Sequence, residues 1–340
     1  MDFEMNYELR DQTTIRESVE FVGIGVHSGI ESRMIVHPAP QNNGIVFRRL
    51  DIDDNRKKIV KLSADTVVDP VMCTRVVNEF GISVCVIEHL IAALRISGIT
   101  NVFIDIDHEE VPILDGSAKI FVESFTNAGT TRQNMKVPAI VIQKEISIDN
   151  GRGSRISILP PRHNDDHNIG LSINISLNYE RINDVILGNN RCTFELDQNL
   201  RDEKLMDIAR ARTFGWFEDA QKIKSMGLAR GASEKNTLII MPDNSILNDE
   251  KLRSNDEIIC HKALDLIGDI SIIGYDIIGR IVGINTSHSQ NNVLMNKLMN
   301  EIKEHTVIQK SYARNPDLNN IHRQQQDDSQ IVNPRGIVMA

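Results

Sequence analysis

His261 and Asp265 stand four residues apart in the run 258–269, IICHKALDLIGD. Ile258, Ile259, Leu264, Leu266 and Ile267 recur mostly at spacings of three, four and seven, which predicts an amphipathic helix. On that helix His261 and Asp265 leave one face a turn apart, and Asp269 extends the polar stripe by another turn. An imidazole and a carboxylate on one wall supply two vertices of a metal site. The pair alone is a weak signal, since a partly exposed polar stripe accounts for it equally well. A third ligand is available far upstream. Residues 84–96, VCVIEHLIAALRI, also carry helical spacing, with Gly98 placed to cap the end. Glu88 and His89 then fall in mid-helix among Val86, Ile87, Leu90 and Ile91. Burying an ionised glutamate there is costly unless something pairs with it. Two apolar helices, each with polar groups at awkward positions, are better explained by one shared site than by two accidents. His89, His261 and Asp265 form a catalytic zinc set, with the fourth position left for water.

The remaining polar residues suggest roles around that set. Zinc lowers the pKa of bound water from about 16 to about 7. Glu88, next to a ligand, is the candidate general base. His288, kept cationic by Asp269, is the candidate acid for a leaving amine, a pairing that suits amide hydrolysis. Thr213 is a candidate donor to the developing oxyanion. Each has a plain competitor. A histidine on an apolar helix is more often a hydrogen-bonded core residue, Lys262 reads as a solvated neighbour, and His288 reads as a loop histidine. Cys85, one turn before His89, could itself ligate, but cysteine-rich sets favour closed structural sites, so it reads as core. Cys260 and Cys73 are treated alike, although Cys73, beside Met72, is placed to line a substrate pocket. His27 and Asp115 lie in glycine turns, where structural hydrogen bonds are the default.

The chain must bring these residues together. Its 340 residues suffice for two domains, and 41% hydrophobic residues support an ordinary core. A net charge of −9 without a long basic run argues against nucleic acid as partner. The start, MDFEMNYELR, is not a secretory signal, and no apolar run approaches the roughly 20 residues needed to span a bilayer. The four cysteines show no disulfide-framework or zinc-finger spacing, which points to a reducing cytoplasm. Alternation predicts strands over 14–26, ending in a turn at His27-Ser28-Gly29, and over 33–37, 44–49 and 101–107. Ser117 is the expected N-cap of a helix over 118–127. Residues 130–136 are polar and unpatterned, so the boundary between domains 1–132 and 133–305 is set there. The second part predicts strands at 139–148, 155–159, 170–178, 236–241 and 279–285, and helices at 202–210, 217–226 and 291–304, with 160–167 a polar loop. Each half runs from strands to a helix with a key histidine and on to another strand, a plan compatible with internal duplication. Residues 306–340 read as a disordered tail.

The segments VIEHLIAAL, VPILDGSA, ARTFG and HKALDLIGD, His288 followed by Asn291-Asn292, the turn GVHSG and the run MCTRVVNE occur in order between about 14 and about 304. Together they resemble the zinc-dependent UDP-3-O-acyl-N-acetylglucosamine deacetylases of bacterial lipid A biosynthesis. The resemblance implies zinc held by His89, His261 and Asp265, Glu88 as base, His288 as acid helped by Asp269, and Thr213 near the oxyanion. It implies Lys262 at the substrate and Phe214 against its sugar or nucleotide end. It also implies an α+β fold of two similar domains, each a layered sheet-and-helix sandwich, with the active site at their interface. A hydrophobic passage for the acyl chain is expected from an insert within 213–241, where Trp216, Ile223, Met226 and Leu228 are available. The expected setting is the cytoplasm of a Gram-negative cell. The expected partner is a UDP-acyl-amino-sugar, the chain acting as a monomer with at most peripheral membrane contact. Fe(2+) fits the same ligands as Zn(2+). Arg230 is an unexpected charge in the passage segment GLARGAS, and the tail is longer than the family needs. Two rivals stay open. A non-haem iron oxygenase shares the ligand types but takes its close pair from a strand, and a non-catalytic metal module has no use for Glu88 or His288.

Overall fold

The computed structural model describes residues 9–68, 72–162, 170–178, 190–197, 200 and 202–308. The tail expected over 306–340 starts later than that: Thr306–Ile308 is a strand, held by antiparallel pairing with Ala139–Val141, while 309–340 and most of the expected loop at 160–167 lie outside the described residues. The fold is α+β. One sheet orders its strands Val19–Ile24, Glu31–Pro38, Val102–Ile106, Ile45–Arg49 and Ile59–Lys61. A second is built around Asp276–Ile284, which pairs antiparallel with Arg155–Leu159 and parallel with Ala139–Val141 and Gly170–Ser176. Alternation explains the clearest strands: Met34 and Val36 point inward while Glu31 and Arg33 face solvent, and Leu171, Ile173 and Ile175 do the same further on.

Six helices matter below: α1 (Glu88–Ile96), α2 (Lys119–Ala128), α3 (Lys204–Arg210), α4 (Ala220–Ser225), α5 (Glu257–Ser271) and α6 (His288–Asn300). Phe21 of the first sheet meets Phe121 and Phe125 of α2 edge-on at 4.8 and 5.9 Å. One continuous apolar core includes Phe47 and Ile104 of the first sheet, Ile156 and Ile281 of the second, and Leu90, Leu264 and Leu294 of the helices.

Several boundaries depart from the sequence reading. The expected helix at 84–96 starts only at Glu88. Ser83–Cys85 is a strand paired with Arg75–Val77, and Val86 turns the chain at φ 59°. Val84, Val86 and Ile87 are all buried, and such a short apolar run reads equally as strand or helix. Glu88 therefore lies in the first turn of α1, where the helix dipole favours a carboxylate, and not at mid-helix. Thr130–Lys136, expected to be unpatterned, is a strand laddered with Asp11–Ile15. Its side chains face mostly outward, so backbone pairing and not alternation holds it. The expected strand at 139–148 is two, Ala139–Val141 and Ile146–Asp149, because each joins a different neighbour. The last helix starts at His288, three residues earlier than expected, where Ser287 accepts the Gln290 N–H as N-cap. The helix expected over 118–127 runs over Lys119–Ala128, so Ala118 and not Ser117 is its N-cap, although Ser117 Oγ accepts the Lys119 N–H at 3.1 Å just ahead of it.

Helices α1 and α5 touch through Gly268. A Cβ at that position would come within 2.2 Å of the Glu88 carbonyl oxygen. Gly268→Ala must push the two helices apart and is expected to destabilise the fold by about 3 kcal/mol. Urea unfolding measures this, and an unchanged midpoint would contradict so close an approach.

Candidate metal centre

Close packing of α1 and α5 brings the upstream histidine to the downstream pair. His89 Nε2 is 3.7 Å from Asp265 Oδ1, and His261 Nε2 is 3.4 Å from the same oxygen. The two rings meet edge-on with centroids 5.0 Å apart. All three donor atoms lie within 4.8 Å of one another, and all three side chains are buried. Tetrahedral zinc bonds of about 2.1 Å put ligand atoms about 3.4 Å apart, so the spacing fits such an ion.

The surroundings fix the donors. His261 Nδ1 is 3.0 Å from the Ala211 carbonyl and donates to it, which leaves the Nε2 lone pair facing the cluster. Nδ1 of His89 is buried and has no hydrogen-bond partner among the described residues. Burial pushes the His261 imidazole down to about 3, keeping it neutral as a ligand must be. Burial acts upward on Asp265, but Lys262, His261 and His288 outweigh it and hold its carboxyl well below the usual range. Lys262 Nζ donates to Asp265 Oδ2 at 2.6 Å, so this lysine reaches the site through a ligand.

Glu88 is 4% exposed. Its Oε2 accepts the Thr74 N–H at 3.0 Å, and Oε1 lies 3.7 Å from His288 Nε2. Burial pushes the Glu88 carboxyl up to about 8, against the pull of His288. His288 Nδ1 donates to Asp269 Oδ2 at 2.9 Å, and its Nε2 lies 3.8 Å from Asp265 Oδ2. Burial acts downward on this imidazole, yet Asp269, Asp265 and Glu88 together raise it to about 10. Asp269 is fully buried and also accepts from Thr74 Oγ1 and Asn291 Nδ2.

The chain before α5 forms another wall. Arg212 is buried against Glu257, with Nε to Oε1 at 2.8 Å and Nη2 to Oε2 at 3.1 Å. This pair fixes Ala211, whose carbonyl holds His261, and Thr213, whose N–H donates to Gly116 at 2.7 Å. The Thr213 hydroxyl makes no hydrogen bond among the described residues. The Phe214 ring lies 6.1 Å from that of His261. Strands Phe214–Trp216 and Leu238–Ile240 pair in parallel, with α4 between them in sequence. Ile223 and Leu228 of this βαβ unit are half-buried, and Met226 is 58% exposed. The Arg230 and Gly231 N–H groups donate to His27 and Val26, tying the unit to the early turn.

Cys73 is buried beside Val86 and Ile113, with Cys85 packed against that cluster. Met72 is half-exposed at φ 61°. Both flank Thr74, which the sequence did not single out although it contacts Glu88 and Asp269. Cys260 is buried in α5. The turn at His27 and Ser28 is held by Glu110, which accepts both N–H groups, and Asp115 accepts from Arg253 at 2.9 Å.

A family profile described as UDP-3-O-acyl N-acetylglycosamine deacetylase matches residues 12–300. The chain is 37% identical over 298 residues to a UDP-3-O-acyl-N-acetylglucosamine deacetylase of Myxococcus xanthus, covering 88% of this chain and 89% of the relative. It is 37% identical over 297 residues to the deacetylase of that name from Campylobacter fetus, covering 87% and 94%. Against that of Helicobacter pylori it is 32% identical over 297 residues, with the same coverage.

Proposed function

The chain belongs to the UDP-3-O-acyl N-acetylglycosamine deacetylase family, and we propose that His89, His261 and Asp265 hold the zinc ion of its reaction. It is a hydrolase that removes the N-acetyl group of UDP-3-O-acyl-N-acetylglucosamine and releases acetate. A step of this kind serves lipid A biosynthesis. The observation that carries the metal assignment is the meeting of three donor atoms from α1 and α5 within 4.8 Å. Zinc bound there supplies Lewis acidity, which lowers the pKa of water and polarises the acetamide carbonyl. Fe(2+) suits the same donors.

The chain's own groups divide the proton work. Glu88 has one oxygen tied to the Thr74 N–H, so Oε1 is the one that takes a proton from the attacking water. His288 holds a proton on each nitrogen: Nδ1–H is anchored on Asp269, and Nε2–H faces the cluster to protonate the leaving amine. The Thr213 hydroxyl is the donor to the developing oxyanion. Lys262 contacts the substrate from beside Asp265, Phe214 packs on its sugar or nucleotide end, and Met72 and Cys73 line the pocket. The acyl chain, a 3-hydroxyacyl group, runs along Trp216, Ile223, Met226 and Leu228, and the nearby Arg230 tunes the length accepted. Residues 1–132 and 133–305 act as two domains, one contributing Glu88 and His89 and the other His261, Asp265 and His288. The enzyme works as a cytoplasmic monomer. No helix among the described residues is long and apolar enough to cross a membrane.

Acetate release from the UDP-acyl-sugar, with and without a chelator, tests the reading. Activity is expected to fall at least about 100-fold in the chelator and to return with added zinc. Undiminished release in metal-free buffer would contradict it.

A further inference from the structure

Thr74 is fully buried just ahead of strand Arg75–Val77, and it meets side chains from three helices. Its N–H donates to Glu88 Oε2 of α1 at 3.0 Å. Its carbonyl accepts the N–H of Ile87, the residue before Glu88, at 3.5 Å. Its hydroxyl donates to Asp269 Oδ1 of α5 and lies 3.4 Å from His288 Nδ1 of α6. The main chain is held on both sides, and a β-branched side chain has few χ1 settings, so the hydroxyl has a fixed direction. A threonine hydroxyl commonly bonds a nearby backbone group. This one reaches a carboxylate 195 residues away along the chain.

The two oxygens of Asp269 have different partners. Oδ2 accepts from His288 Nδ1 and Asn291 Nδ2, both at 2.9 Å. Among the described residues the donor to Oδ1 is the Thr74 hydroxyl. Without it, Oδ1 is a buried acceptor left unsatisfied. The carboxylate is then held through Oδ2 alone and can tilt, carrying the imidazole with it. We propose that Thr74 is a positioning residue for the reaction: its hydroxyl holds Asp269, and through it His288, in line for proton delivery, while its N–H sets Glu88. The inference rests on the acid and base roles given above to His288 and Glu88. One residue ties the acid on α6 to the base on α1.

Thr74→Val removes the hydroxyl and keeps the N–H, the branching and nearly the volume. In the zinc-loaded enzyme kcat for acetate release should fall about 10- to 100-fold, since a misplacement of about 1 Å can cost that much, with KM and zinc content unchanged. Thr74→Ser keeps the donor and should stay within about threefold of the parent. The Nδ1–H proton of His288, followed by NMR with isotope-labelled histidine and assigned by its loss in His288→Gln, should exchange with solvent at least about tenfold faster in Thr74→Val. A double-mutant cycle separates positioning from general loosening. In the His288→Gln background, Thr74→Val should lower kcat by less than about threefold further. An equal fall in both backgrounds would overturn the inference. Parental kcat in Thr74→Val beside a loss in His288→Gln would strike this inference alone. Parental kcat in His288→Gln would remove the acid role itself, and the inference with it.

Discussion

His261→Ala is expected to strip the enzyme of its metal and of nearly all its activity. The imidazole is 3% exposed and lies 3.4 Å from the Asp265 oxygen that also faces His89. Its other nitrogen is anchored on the Ala211 carbonyl, which holds the ring with Nε2 toward the cluster. Loss of an outer-shell partner alone costs about 10- to 100-fold in metal affinity, and loss of a direct ligand should exceed that. Acetate release should fall at least about 1,000-fold, since a bound metal contributes several kcal/mol to such reactions. Metal content after dialysis, measured beside a circular dichroism spectrum, separates ligand loss from misfolding. A folded variant with one zinc per chain would remove His261 from the ligand set.

The sequence disclosed some of this site and hid the rest for identifiable reasons. His261 and Asp265 were legible because both sit on one helix, where i to i+4 spacing translates directly into a shared face. Glu88 and His89 stand out as polar residues in an apolar run, but the helix starts at Glu88, four residues later than the spacing predicts. Nothing in VCVI distinguishes a buried strand from a buried first turn until Val86 is seen at φ 59°. The favourable placement of Glu88 at the positive end of α1 is therefore invisible in the sequence. Thr74 was hidden because its partners Glu88 and Asp269 lie 14 and 195 residues away. The Ala211 carbonyl was hidden because a backbone acceptor has no signature in the side-chain alphabet. The Thr130–Lys136 strand was hidden because its stability comes from a ladder to Asp11–Ile15, and TTRQNMK has no apolar face to announce it.

Metal binding and proton transfer should come apart at Glu88. Glu88→Gln keeps the shape of the side chain and removes the basic oxygen. The variant is expected to retain full metal content, because its carboxylate is not among the three clustered donors. Oε2 accepts the Thr74 N–H, and the amide oxygen of glutamine can take over that bond. The other position then presents an NH2 toward His288 Nε2, at present 3.7 Å from Oε1. No group remains there to accept a proton from water, and kcat should fall about 100- to 10,000-fold, the usual worth of a positioned general base. KM should change little, since Glu88 is asked to act on water and not on the sugar. Folding should not suffer, because burial already disfavours the charged carboxylate that the substitution removes. A Glu88→Gln enzyme with full zinc and undiminished kcat would transfer the base role elsewhere. Among the described residues the other buried acid that faces His288 without being a proposed ligand is Asp269, and its carboxylate is already occupied by Thr74, His288 and Asn291.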